Sequence, residues 1–166
     1  MKKLLILLLL IILTITCSPD KKSSQKSASV SLPEANDDFF QDITEYSGID
    51  FIHTIGDEHL SNIIESVGGG VAFLDYDQDG YMDLYACNGT YLEGFSEGEE
   101  PDKVFENHLY RNLQNGTFED VTKKAGVGNT SYGMGVTVGD FNNDGFPDIY
   151  ISNNGPNTLY RNNGNG

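Results

Sequence analysis

The chain has 166 residues, room for one ordinary domain, with 25 acidic against 10 basic side chains and a formal net charge of -15. So acidic a surface repels nucleic acid phosphates and anionic lipid, which argues against a nucleic acid partner, and it attracts divalent cations and basic partners. Nine Phe, nine Tyr, 19 Gly and no Trp suit short strands joined by tight turns, and no long segment beyond the leader keeps a helical period, so an all-β fold is expected.

Met1-Lys2-Lys3 is a positive start, and Leu4 to Leu13 is a continuous apolar run of about ten residues. That length fits the apolar region of a secretory signal and is too short to span a bilayer comfortably. The following Leu13-Thr14-Ile15-Thr16-Cys17 resembles the lipobox of bacterial lipoprotein signals. The resemblance implies a signal peptide over residues 1–16, cleavage before Cys17 and lipidation of that cysteine, with plain secretion as the alternative. Removing Lys2 and Lys3 with the leader takes the charge from -15 to -17. Residues 17–39, rich in Ser, Lys and Pro, have little to bury and are expected to form a flexible tether. The membrane would then be met only through an N-terminal lipid, at a bacterial cell envelope.

The folded part is expected over residues 40–166, and it repeats. At an offset of 65, Ser66, Gly68, Gly70, Val71, Asp75, Asp79, Gly80, Asp83, Tyr85 and Asn88 meet identical residues. At an offset of 50, Asn107 and Leu109-Tyr110-Arg111-Asn112 meet Asn157 and Leu159-Tyr160-Arg161-Asn162. The change of offset marks about 15 extra residues between Thr90 and Glu106, an acidic stretch bearing Tyr91 and Phe95 that is a candidate contact loop. At an offset of 78, Phe40-Gln41-Asp42-Ile43-Thr44 and Ser47-Gly48-Ile49 meet Phe118-Glu119-Asp120-Val121-Thr122 and Ala125-Gly126-Val127.

The first unit predicts strands over Val71 to Leu74, Leu84 to Cys87, His108 to Asn112 and Thr117 to Val121. Asn115-Gly116 between the last two predicts a type I′ hairpin turn, with positive φ at both residues. Four antiparallel strands per unit describe a β-propeller blade. Cys87 sits in an apolar run and is expected to be a small core residue.

Between the first two strands of each unit lies an aspartate-rich loop. The first is Asp75-Tyr76-Asp77-Gln78-Asp79-Gly80-Tyr81-Met82-Asp83, and the second is Asp140-Phe141-Asn142-Asn143-Asp144-Gly145-Phe146-Pro147-Asp148. Oxygen donors at alternate positions, with glycine after the third, suit a hard cation such as calcium. Asp75, Asp77, Asp79, the Tyr81 carbonyl and Asp83 are the expected ligands of the first loop. Asp140, Asn142, Asp144, the Phe146 carbonyl and Asp148 are those of the second. Asn142 drops one negative charge, which predicts weaker binding there. An EF-hand requires an acid at the twelfth position, where these loops carry Ala86 and Ile151, and is excluded. Arg111 and Arg161 are expected to pair with neighbouring carboxylates, and His53, His59 and His108 lack transition-metal spacing.

Tyr132-Gly133-Met134-Gly135-Val136 followed by its aspartate loop resembles the FG-GAP or VCBS repeat of integrin-α-like β-propellers. Gly68 to Asp77, the Leu-Tyr-Arg-Asn segments and Phe118-Glu119-Asp120-Val121-Thr122 resemble, more narrowly, bacterial relatives of cartilage acidic protein with ASPIC/UnbV domains. The resemblance implies propeller blades, about two of them in this chain, and hence the N-terminal part of a larger propeller that should be unstable alone. No catalytic constellation is visible outside the loops. The expected function is a calcium-binding module of an envelope lipoprotein that binds or adheres to protein or glycan. The alternative is the non-catalytic scaffold of an envelope enzyme such as a propeller-type polysaccharide lyase.

Overall fold

The computed structural model describes residues 33–34, 38–56, 59–97 and 103–165. The expected signal peptide, the lipidated Cys17, most of the tether, and residues 98–102 of the acidic insertion lie outside them. Among the described residues no helix is long and apolar enough to cross a membrane.

Two antiparallel sheets make the fold, as the all-β expectation requires. Strands β1 (Val71–Leu74), β2 (Asp83–Ala86), β3 (His108–Asn112) and β4 (Phe118–Asp120) form a four-stranded meander in chain order. Strands β5 (Tyr132–Gly139), β6 (Asp148–Asn154) and β7 (Thr158–Tyr160) form a three-stranded one. The first has the four antiparallel strands expected of each repeat unit; the second has three among the described residues. Two four-residue helices, α1 (Thr44–Ser47) and α2 (Thr122–Ala125), are the internal match at an offset of 78 made visible. Asp42 and Asp120 accept the backbone N–H of Thr44 and Thr122 at 2.9 Å, and Gly48 and Gly126 end the helices with φ of 76° and 70°. Only glycine takes that conformation without cost. The match stops there, because Phe118–Asp120 pairs as β4 while Phe40 is exposed and outside any strand.

Register sorts the side chains. Ala72, Tyr85 and Leu109 are directly paired and share one face of the first sheet, while Phe73, Leu84 and Tyr110 share the other. In the second sheet Val138, Ile149 and Tyr160 share one face, and Thr137, Tyr150 and Leu159 the opposite one. The core joins Leu74, Tyr85 and Leu109 of the first sheet to Ile149 and Ile151 of the second, with Val136, Val138 and Tyr160 packed around them. Cys87 is buried in the same cluster. The sheets therefore stack head to tail, unlike faces in contact.

Gly70 makes the stack close. A Cβ there would lie 2.6 Å from the backbone nitrogen of Val136, so β1 and β5 approach at a distance no side chain permits.

The β3–β4 connection corrects one expectation. Asn112 pairs with Phe118, leaving a five-residue loop in which Leu113 N–H donates to the Thr117 carbonyl at 2.9 Å. Positive φ falls on Gln114 (63°) and Gly116 (83°), and Asn115 is not among the positive-φ residues. Instead, the Asn115 side chain accepts from Thr117 N–H at 3.0 Å and from its hydroxyl at 2.6 Å. That local bond competes with a type I′ turn and wins.

Candidate metal centre

The first aspartate loop joins β1 to β2 and the second joins β5 to β6. Both turn through the same unusual backbone: Gln78 and Asn143 have φ of 58° and 56°, Gly80 and Gly145 of 89° and 91°. The leading carboxylate holds that turn. Asp75 accepts the N–H of Asp79 and of Gly80, each at 3.0 Å, and Asp140 accepts those of Asp144 (3.1 Å) and Gly145 (2.8 Å). The closing carboxylate ties the loop to the sheet. Asp83 accepts Tyr76 N–H at 3.0 Å and Asn112 N–H at 2.8 Å; Asp148 accepts Phe141 N–H at 3.0 Å and Asn162 N–H at 2.7 Å. The charge of each is entirely inside the protein, with 0% and 1% of residue surface exposed.

Three carboxylates converge in the first loop. Among the described residues, Asp75, Asp77 and Asp83 each offer a ligand atom, and these atoms lie within 4.8 Å of one another. Burial pushes the Asp83 carboxyl above its usual range; hydrogen bonds from Asn112 and Tyr76 oppose the shift, and the nearby charges of Asp77 and Asp79 add to it. One Asp77 oxygen, Oδ1, is buried with no hydrogen-bond partner. An orphaned anionic oxygen beside two further carboxylates is costly, and a hard cation relieves it. The residues fit a calcium ion on that ground.

Asp79 lies outside this group. Its Oδ2 accepts from Arg111 Nη2 at 3.2 Å and Gln114 Nε2 at 3.1 Å, and its Oδ1 from Tyr81 N–H at 3.0 Å. Burial alone would raise its pKa, but these bonds hold it below the ordinary value. Arg111 Nε lies 2.7 Å from Asp77 Oδ2, so the expected pairing of this arginine with carboxylates is present twice. Arg161 turns to Asn163 Oδ1 instead, through Nε at 3.2 Å and Nη2 at 2.7 Å.

In the second loop Asn142 stands where the first has Asp77. Its amide donates to Asp144 Oδ2 at 2.7 Å, and Phe146 N–H donates to Asp144 Oδ1 at 3.0 Å. Those hydrogen bonds hold the Asp144 carboxyl low. Tyr81 and Phe146, expected to lend carbonyls, thus have matching N–H bonds that fix the backbone at their position. His108 Nδ1 sits 2.8 Å from Asp120 Oδ2, and His53 Nε2 accepts Gly69 N–H at 3.0 Å, both away from the loops.

Two residues that sequence reasoning left without a role complete the site. Asn112 and Asn162, the last residues of the recurring Leu-Tyr-Arg-Asn, supply the N–H that caps Asp83 and Asp148. Their side chains reach the carbonyls of Met82 (3.1 Å) and Pro147 (3.2 Å) in the same loops. Recurrence at an offset of 50 was the available signal. The loops also touch each other, Gln78 Nε2 donating to the Gly145 carbonyl at 2.6 Å.

Comparison with known proteins agrees with this architecture. Residues 96–151, from within the insertion to the middle of β6, match the model of the FG-GAP-like repeat. A segment of 56 residues is 48% identical to mouse cartilage acidic protein 1, covering 32% of this chain and 9% of that protein. The human protein of the same name is 46% identical over 56 residues, 32% of this chain and 8% of its own length, and that of Xenopus tropicalis is 43% identical. The matched segment therefore spans less than a tenth of these relatives. The family match takes in the second aspartate loop; the first enters through the internal repeat and the shared loop geometry. Over residues 96–151, about a third of its length, the chain is similar to the FG-GAP-like repeat.

Proposed function

We propose that this chain is a calcium-braced part of a β-propeller, carried on a bacterial envelope by a lipid on Cys17, and that it binds protein or glycan rather than catalysing a reaction. The orphaned Asp77 oxygen beside Asp75 and the fully buried Asp83 carries the calcium reading. Bound there, a divalent ion would neutralise the gathered charge and lock the β1–β2 loop, to which Asn112 and Tyr76 are already tied.

The propeller reading rests on unequal burial of equivalent residues. Tyr76, Tyr85 and Leu109 are 5%, 0% and 1% exposed beneath the second sheet. Their counterparts Phe141, Tyr150 and Leu159 are 55%, 40% and 50% exposed. A further sheet of the same kind, seated on the second as the second sits on the first, would cover them. Head-to-tail stacking of that kind closes into a ring when the rotation allows.

Binding is favoured over catalysis because the acidic groups of the loops, Asp77 apart, are engaged in holding backbone, as a scaffold requires. The lipid anchor rests on the sequence of residues outside the described part. Calcium titration by calorimetry, beside Asp83→Asn, tests the central element: wild type should take up calcium and the variant should lose the first-loop equivalent. Equal uptake by both would refute it. Palmitate labelling of full-length protein in a bacterial host, lost in Cys17→Ser, tests the anchor.

A further inference from the structure

A cationic side chain from β3, Arg111, reaches the carboxylates of the first loop. Resting on the calcium reading above, we propose that Arg111 sets the affinity of that loop, competing for Asp77 and keeping Asp79 apart from the three gathered carboxylates.

Arg111 spans the two acids, Nε lying 2.7 Å from Asp77 Oδ2 and Nη2 3.2 Å from Asp79 Oδ2. Asp77 belongs to the converging group and Asp79 does not. The guanidinium therefore divides four aspartates into three that face one another and one held by Arg111 and Gln114. Its fork geometry suits two carboxylates at once, which an ammonium matches poorly. The pairing relieves part of the repulsion among these acids internally.

A charge comparison gives the consequence. Four aspartates less one guanidinium leave the first loop at -3, equal to the summed charge of Asp140, Asp144 and Asp148 in the second. Arg161, the repeat counterpart of Arg111, hydrogen-bonds Asn163 and reaches Asp144 through its charge alone, without the direct ion pairs that Arg111 makes. Arg111, in contact with its acids, thus offsets much of the charge advantage that Asp77 has over Asn142. The sequence expectation of a tighter first loop counted acids only, and holds only once Arg111 is neutralised.

The test is calorimetric titration of calcium chloride into the full chain, as wild type, Arg111→Met and Arg111→Lys, with melting followed in EDTA. Methionine keeps much of the aliphatic packing and removes the charge; lysine keeps the charge. For a partly exposed charge beside a divalent ion, Arg111→Met should tighten one calcium equivalent by about tenfold and leave the other unchanged. Arg111→Lys should stay within about threefold of wild type. The melting midpoint of Arg111→Met in EDTA should fall, because the gathered acids lose their internal partner. Should that variant fail to fold, Arg111→Gln replaces it with the same expectation. A folded, uncharged variant with unchanged or weaker calcium affinity overturns the role of Arg111. Absence of calcium uptake by wild type and variants alike overturns the calcium reading, and this inference with it.

Discussion

The side-chain amide of Asn162 donates to the Tyr76 carbonyl at 2.8 Å, while its backbone N–H donates to Asp148 at 2.7 Å. One residue at the end of the second unit thus holds its own aspartate loop and grips the loop of the first. The two candidate cation sites are mechanically joined through it.

Asn162→Ala removes the amide from both the Tyr76 and the Pro147 carbonyl. The expected cost is about 1–2 kcal/mol, from lost hydrogen bonds at partly buried groups. Chemical denaturation of the full chain measures it. Asn112→Ala, which breaks the equivalent bond to Met82 within one loop only, should cost less.

Much of the fold was legible because two signals agreed. Short runs of Val, Ile, Phe and Tyr gave the strands of the first unit, and internal repetition gave their order, so β1 and β3 fall where they were expected and β2 starts one residue earlier. The aspartate loops were legible for the same reason. The division of labour within them was not. Asp75, Asp77 and Asp79 alternate identically along the chain, and only the approach of Gln114 from the β3–β4 hairpin, beside an Arg111 that Asp79 shares with Asp77, sets Asp79 apart. Tyr85 and Tyr150 likewise look alike in sequence. One is fully buried and the other 40% exposed because a sheet stacks on one and not on the other among the described residues. The four-residue helices are shorter than a periodic pattern can reveal.

Gly70→Ala probes the seam between the sheets. Its Cβ would meet Val136 N at 2.6 Å and Gly135 Cα at 2.7 Å, both backbone atoms that cannot swing aside. A loss of about 1–3 kcal/mol is expected from forced separation of β1 and β5. Gly139→Ala, with open space around it, serves as the control in the same denaturation experiment.

Glu65 should make one loop acid-labile. Burial pushes its carboxyl upward, but hydrogen bonds from Ser96, from Ser61 through backbone and hydroxyl, and from Asn62 more than offset that and bring it down to about 2. The folded value lies below the ordinary 4.5, so the stabilisation is complete above that pH and is lost as pH falls towards about 2. Glu65 joins the Ser61 and Ser96 segments, beside the Asn62 amide that donates to the Phe95 carbonyl, so limited proteolysis near Phe95 should accelerate in that window. Glu65→Gln should show the same acceleration at neutral pH and a flat response to acid.

Cys87 should be chemically silent. Burial pushes its thiol up to about 11, and 1% of the residue surface is exposed. Thiol reagents at pH 8 should label it only on unfolding. Rapid labelling of the folded chain would contradict its place in the core.

Diffraction from crystals grown with calcium tests the central claim most directly. The expected result is an ion bonded to Asp75, Asp77 and Asp83 at about 2.3–2.6 Å, with water completing about six to eight oxygens and Arg111 displaced from Asp77 or held on Asp79 alone. A first loop without an ion at millimolar calcium, its three carboxylates turned apart and Arg111 still seated on Asp77, would contradict it.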